Sequence, residues 1–202
     1  MSFLNSTHIS ANTSQIPPGV RKEDAITLLH DHEFFLLCDP HHLSHKSLPQ
    51  PAQTEKDPAS VAVARKHFKL PETLRPVVVA GGGGSVVELY EVVDDLPNPV
   101  WSSHVVSREE FVDHEEGMWV RIHSPMGVVL ETKWSVREKG GADGKLELVE
   151  DILINCSRLV MGIVKGQCEN NWGGIHKKII EKLVADAEAR EKAATGSAPP
   201  AE

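Results

Sequence analysis

The chain has 202 residues, 40% of them apolar and 25% charged, which suits one globular core under an ordinary polar surface. A formal net charge of −8 and the lack of any basic stripe exclude nucleic acid as a partner. No apolar run approaches the ~18–20 residues of a membrane span. The N-terminal MSFLNSTHIS has neither the basic nor the apolar region of a signal peptide, so a cytoplasmic protein is expected. Cys38, Cys156 and Cys168 are odd in number and sit in apolar surroundings, which reads as free buried thiols.

In chain order, residues 6–14 carry β-favouring side chains such as Thr7, Ile9 and Thr13 before Pro17-Pro18-Gly19, and predict a strand and a turn. Val20 to His32 places Ala25, Ile26, Leu28 and Leu29 on one side of a helix. Glu33 to Cys38 reads as a short strand or buried turn, closed by Asp39-Pro40. Residues 40–58 shift to His, Ser, Pro and Gln and predict a long loop, either capping the sheet opening or mobile. A short helix fits 59–70, and Pro71 and Pro76 stop it. The glycine run Gly81–Gly84 leads into a strand over 85–93 that ends at Asp94-Asp95.

The remainder reads as a meander that empties into one long helix. Strands are expected over 100–113, 117–124, 127–138 and 145–156, with Ser157 at the position of a helix N-cap. From 159 to 184 apolar residues recur at helical spacing: Val160, Ile163, Val164, Cys168, Trp172, Ile175, Ile179 and Leu183. In the hairpin turn Ser124-Pro125-Met126-Gly127, a central pair of Pro125 and Met126 sets His123 opposite Val128, Arg121 opposite Leu130 and Trp119 opposite Thr132. One face then carries Trp119, Arg121, His123, Leu130, Thr132 and Trp134; with both tryptophans and no acidic residue, it is taken as the inner one. The flexible tip at 139–144 leaves two registers, with either Asp151 or Ile152 facing inward. A single domain over 1–190 and a disordered tail over 191–202 complete the expectation.

The chemistry-bearing residues form no familiar signature. Gly81–Gly84 precede Ser-Val-Val and a strand, not the Gly-Lys-Ser/Thr or the helix of a phosphate-binding loop. His30, His32, His41, His42 and His45 cluster without metal-ligand spacing, so no metal and no cofactor is expected. There is no GxSxG elbow and no cysteine signature. Arg121 and His123 have two readings: an ion pair with Asp151 or Glu150 beside a satisfied histidine, or a polar anchor at the base of an apolar pocket.

The segments LLHDHEFFLLCDP, YEVVDDLPNPVWSSHVVSREEF, RIHSPMGVVLETKW and LVEDILINCSRLVMGIVKGQCENNWGGIHKKIIEKL span most of residues 24–183. They resemble an uncharacterised fungal domain family placed in the START-like, or polyketide cyclase/dehydratase (SRPBCC), superfamily. The resemblance implies an α+β helix-grip fold, a curved antiparallel sheet wrapped around a long C-terminal helix. It also implies an apolar cavity between sheet and helix. The expected function is therefore binding of a hydrophobic small molecule, lipid, sterol or polyketide-like. Trp119, Arg121, His123, Leu130, Thr132 and Trp134 would line the sheet side, and Cys168, Trp172 and Ile175 the helix side. An alternative is a cyclase, dehydratase or pericyclic enzyme of fungal secondary metabolism, with His123 as acid–base group and Arg121 as oxyanion partner. A third reading, a structural or protein-interaction domain, requires a join filled by side chains.

Overall fold

Strict alternation of exposed and half-buried side chains makes β1 (Asn5–Gln15) a one-sided strand. The structure, a computed structural model, describes residues 5–78, 84–95, 104–140 and 144–196. After β1 come α1 (Lys22–Leu29), α2 (His32–Leu36), β2 (His42–Ser47), α3 (Ala52–Glu55) and α4 (Val61–Phe68). A meander follows: β3 (Glu88–Asp95), β4 (His104–His114), β5 (Gly117–Ser124), β6 (Val128–Glu138) and β7 (Leu146–Ser157). It runs directly into α5 (Arg158–Gly196), 39 residues long. All neighbours are antiparallel in the order β1-β7-β6-β5-β4-β3-β2, so the first strand pairs with the last and β2 forms the opposite edge. The fold is α+β, a curved antiparallel sheet gripping one long C-terminal helix. No described helix is long and apolar enough to cross a membrane.

Three stretches differ from the sequence reading. The Asp31 carboxylate accepts a hydrogen bond from the Phe34 N–H and caps a new helix, so the apolar run after it is helical rather than extended. Residues 40–58, expected as loop, hold β2 and α3. β2 reads HLSHKS and pairs only with β3; an edge strand tolerates polar side chains on both faces, which hid it from a pattern search. Residues 191–196, expected in the tail, continue α5, since Glu, Ala and Lys are good helix formers. The glycines at 81–83, the expected strand start at 100–103, residues 141–143 of the 139–144 tip and the tail from 197 lie outside the described residues.

The two faces of the sheet are covered differently. On the outer face, α4 and the chain after it bury Phe68, Leu70 and Leu74 against Leu89, Val112 and Trp119. On the inner face, α1, α2 and the C-terminal half of α5 pack Leu29, Leu36, Ile179 and Leu183 against Phe111, Met118 and Trp134, with Arg190 of α5 paired to Asp24 of α1. A triad around the buried His32 ties α2 to the meander: His32 Nδ1 lies 3.0 Å from Glu88 Oε2, and its Nε2 lies 3.0 Å from Asp113 Oδ1. Further along the same face, the N-terminal half of α5 meets the sheet through Val160, Val128, Ile152 and Ile154. Between these two packed regions the join is hollow.

Candidate functional site

The hollow is a cavity of about 260 Å³ bounded by α5, α2 and strands β2 to β7. Its wall is mostly apolar: Val120 and Ile122 from β5, Leu130 and Trp134 from β6, Ile152 from β7. Helix α5 adds Val164, Cys168, Trp172 and Ile175. A dry cavity of about 150 Å³ takes up benzene, so this one has room for a bicyclic or similar small molecule.

Of the residues expected at such a site, Leu130, Thr132, Trp134, Cys168, Trp172 and Ile175 line the cavity. Trp119, Arg121 and His123 do not. The hairpin loop is Pro125-Met126-Gly127, three residues rather than two, because Met126 adopts φ 61° and Gly127 φ 70°. Ser124 therefore pairs with Val128 and Ile122 with Leu130. That one-residue change turns every side chain of β5 to the other face. Trp119 is buried under α4 on the outer face. Arg121 lies 4.6 Å over the Trp119 ring. Its Nε donates to Glu131 Oε1 at 3.0 Å, and its Nη1 and Nη2 donate to the carbonyls of Phe68 and Lys69 at 2.6 and 3.3 Å. It thus closes the C-terminal end of α4. Half-exposed His123 sits 3.3 Å from Glu110. Across the β6–β7 hairpin, Ile152 and Glu150 face inward, and Asp151 faces outward to Arg137 at 2.8 Å.

The polar part of the lining is acidic: Asp39, Asp94, Glu109 and Glu150, with His42 as the basic group and no lysine or arginine among the described lining residues. Burial pushes Glu109 up to about 8, helped by the neighbouring Asp94 and Asp39 carboxylates, although the Ser107 hydroxyl donates to it at 3.1 Å. Burial likewise raises Asp94 to about 7, with Asp39 adding to the effect. Glu150 is raised to about 7 by burial while accepting a 2.9 Å hydrogen bond from Asn12 Nδ2. Behind it, His176 lies 3.8 Å away and is held at about 4 by burial, so burial disfavours the charged form of both partners. His42 is lowered, first by burial and then by the adjacent His45. Trp134 Nε1 donates to Thr132 Oγ1 at 3.1 Å, fixing the indole in the cavity wall.

The sequence reading missed His42, Asp94 and Glu109. Asp94 carried a signal, since it follows Tyr90 and Val92 on the alternation of one strand face. His42 carried none, because its strand was not recognised. Among the described residues no three His, Cys, Asp or Glu side chains gather as a metal site.

A family model described as a domain of unknown function, DUF7053, matches residues 5–185. The chain belongs to that family. A search of curated proteins returns no match to this DUF7053 chain. Among solved structures it is similar to TTHA0849 from Thermus thermophilus, with a TM-score of 0.51 and 14% identity, over 90% of this chain and 99% of that one. It is also similar to StfQ, the di-domain aromatase/cyclase of the steffimycin biosynthetic pathway, with a TM-score of 0.54 and 10% identity. That match covers 92% of this DUF7053 chain and 52% of StfQ, so the chain spans about half of the two-domain protein. Identities this low extend the likeness to the fold alone.

Proposed function

We propose that this protein binds a hydrophobic small molecule in the cavity between the sheet and α5. The observation that carries the reading is the unequal join. One half of the α5–sheet contact is packed around Met118 and Ile179, while the other leaves about 260 Å³ lined mostly by apolar side chains, Trp134 and Trp172 among them. Protein interiors rarely leave such volume unfilled, and a largely apolar cleft with a few convergent polar groups is what a ligand site requires. The free thiols Cys38, Cys156 and Cys168 fit a reducing cytoplasm as the place where it acts.

A second reading, an enzyme of cyclase or dehydratase type acting in the same cavity, is favoured by the buried titratable groups His42, Asp94 and Glu109 in its wall. The aromatase/cyclase StfQ shares the fold.

The test is uptake of the uncharged fluorescent probe N-phenyl-1-naphthylamine. Saturable binding is expected for the native chain, with loss of at least tenfold in affinity for Ile152→Trp, which fills the cavity. Trp119→Phe, on the opposite face, leaves affinity unchanged. Equal binding by Ile152→Trp would place the probe elsewhere and remove the reading.

A further inference from the structure

β2 holds an irregularity with a directional consequence. His42 pairs with Asp94 and Ser44 with Val93, so Leu43 is an extra residue bulged out of the ladder. Without the bulge, Leu43 would stand opposite Asp94 and His42 would point outward. With it, His42 and His45 both reach the inner face of the strand edge. The His42 side chain, part of the cavity wall, is only 5% exposed, and its Nδ1 has no hydrogen-bond partner among the described residues and lies 3.8 Å from Asp94 Oδ1.

The other ring nitrogen begins a chain to solvent. His42 Nε2 lies 2.9 Å from His45 Nδ1, and His45 Nε2 lies 2.5 Å from Glu33 Oε2. The Glu33 side chain is 66% exposed. An ionised carboxylate only accepts, so His45 donates from Nε2 and, when neutral, accepts at Nδ1. His42 must then donate from Nε2, which leaves a bare lone pair on the buried Nδ1 of a residue in the cavity wall. An orientation fixed in this way by a carboxylate and a second imidazole is what a general base needs.

We propose that His42 is a proton acceptor acting on the cavity ligand, with His45 and Glu33 as positioning residues that fix its tautomer and pass the proton to water. The inference rests on the ligand-binding reading and names the class of ligand: an uncharged, apolar carbonyl compound with an acidic C–H next to the carbonyl. His42 Nδ1 takes that proton as the C–H bond breaks, and the electron pair moves into the enolate. The neutral Asp94 carboxyl gives its proton to the enolate oxygen. The His42 Nε2 proton shifts to His45 Nδ1, and the His45 Nε2 proton leaves through Glu33. On reketonisation the enol O–H proton returns to Asp94, and a proton re-enters through Glu33 to His45 Nε2. The His45 Nδ1 proton returns to His42 Nε2, and the His42 Nδ1 proton is delivered to carbon, so every group regains its starting proton. The groups that set the basicity of His42 are Glu33 on α2, Asp39 before β2, His45 on β2, Asp94 on β3 and Lys178 on α5.

The probe is 5-nitrobenzisoxazole, a small uncharged bicycle. A base removes its C–H proton, the N–O bond breaks, and the electron pair leaves on the oxygen of a coloured cyanonitrophenolate. At pH 6, below the raised values of Asp94, Glu109 and Glu150, the native chain is expected to accelerate this opening at least tenfold over free imidazole at equal concentration. His42→Gln loses that acceleration while tryptophan quenching shows the probe still bound. His45→Gln and Glu33→Gln, outside the cavity wall, bind normally, fall severalfold in rate, and move the midpoint of the pH–rate profile, which a merely structural role would not do. A His42→Gln variant that binds and opens the probe at the native rate, or a native chain that binds without opening it, overturns the base and leaves the cavity reading standing. Absence of probe binding in the native chain overturns both.

Discussion

Ile122 stands opposite Leu130 across the β5–β6 hairpin, and both side chains face α5. Everything odd-numbered between Trp119 and His123 therefore belongs to the outer face, where it supports structure rather than ligand. Trp119→Ala is expected to lower stability by about 3–5 kcal/mol, as for a large buried aromatic. Arg121→Ala, which removes the ion pairs to Glu131 and to the buried Glu110 and uncaps α4, is expected to lower it by about 2 kcal/mol. Both should leave probe affinity unchanged once the protein is folded. A fluorescence titration beside urea unfolding checks both halves, and a tenfold loss of affinity in either variant would return these residues to the site.

Much of the fold was legible, and the reason is periodicity. The apolar stripe from Val160 to Leu183 spans seven turns, long enough that local exceptions do not hide it, and the β6 face from Leu130 to Trp134 was assigned correctly. The β5 face was not, because side-chain direction in a strand depends on the parity of the loop before pairing resumes. That parity was set by the backbone of Met126, a residue with no intrinsic preference for positive φ. The polar end of the cavity was hidden for a different reason. His42 faces inward only through a bulge, and a bulge is fixed by pairing with β3 rather than by β2 itself. The two tryptophans drew Trp119 inward on the argument that aromatic faces are core faces. Here both faces of the sheet are buried, so that argument could not discriminate.

Gly117 opens β5 with φ +152°, and a Cβ there would lie 2.3 Å from the Trp134 carbonyl oxygen and 3.0 Å from Leu29. Neither the backbone of β6 nor the packed helix α1 can retreat without disturbing the solid half of the core. Gly117→Ala is expected to cost about 3 kcal/mol or more, well above the usual glycine effect. In a chain of this size that is a fall of roughly 6–12 °C in Tm. Calorimetry checks it, and a change under 2 °C would mean the hairpin relaxes freely.

Stability should decline on the alkaline side. His32 is pulled down by burial but raised to about 9 by Asp113 and Glu88, so its contribution is complete below pH 6.5 and disappears as pH rises through 9. Glu109, Glu150 and Asp94, raised to about 8, 7 and 7, act in the same direction: the folded chain holds protons that the unfolded chain has released. His114 and His176, held near 4 chiefly by burial, act oppositely, and their contribution is lost as pH falls from 6.5 toward 4. The two sets oppose each other below pH 6.5, which predicts a shallow Tm profile there and a steep fall between pH 6.5 and 9. Glu109→Gln combined with Glu150→Gln should flatten the part below pH 8 and leave the His32 portion. A Tm that rises from pH 6.5 to 9 would contradict the buried proton inventory.

Cys168 offers a reporter for the cavity itself. Burial pushes its thiol up to about 12, and Cys38 to about 11, so neither is a thiolate at neutral pH. Iodoacetamide at pH 7.5 should therefore label the folded chain at least a hundredfold more slowly than the urea-unfolded chain. Only Cys168 borders the hollow; Cys38 is packed among Leu36 and its neighbours and Cys156 against Val160. Occupancy by N-phenyl-1-naphthylamine should thus slow Cys168 further and leave the other two thiols unchanged, as read by peptide mass spectrometry. Protection spread equally over the three would signal global stabilisation by the probe, and no protection at Cys168 would mean that the bound probe does not reach α5.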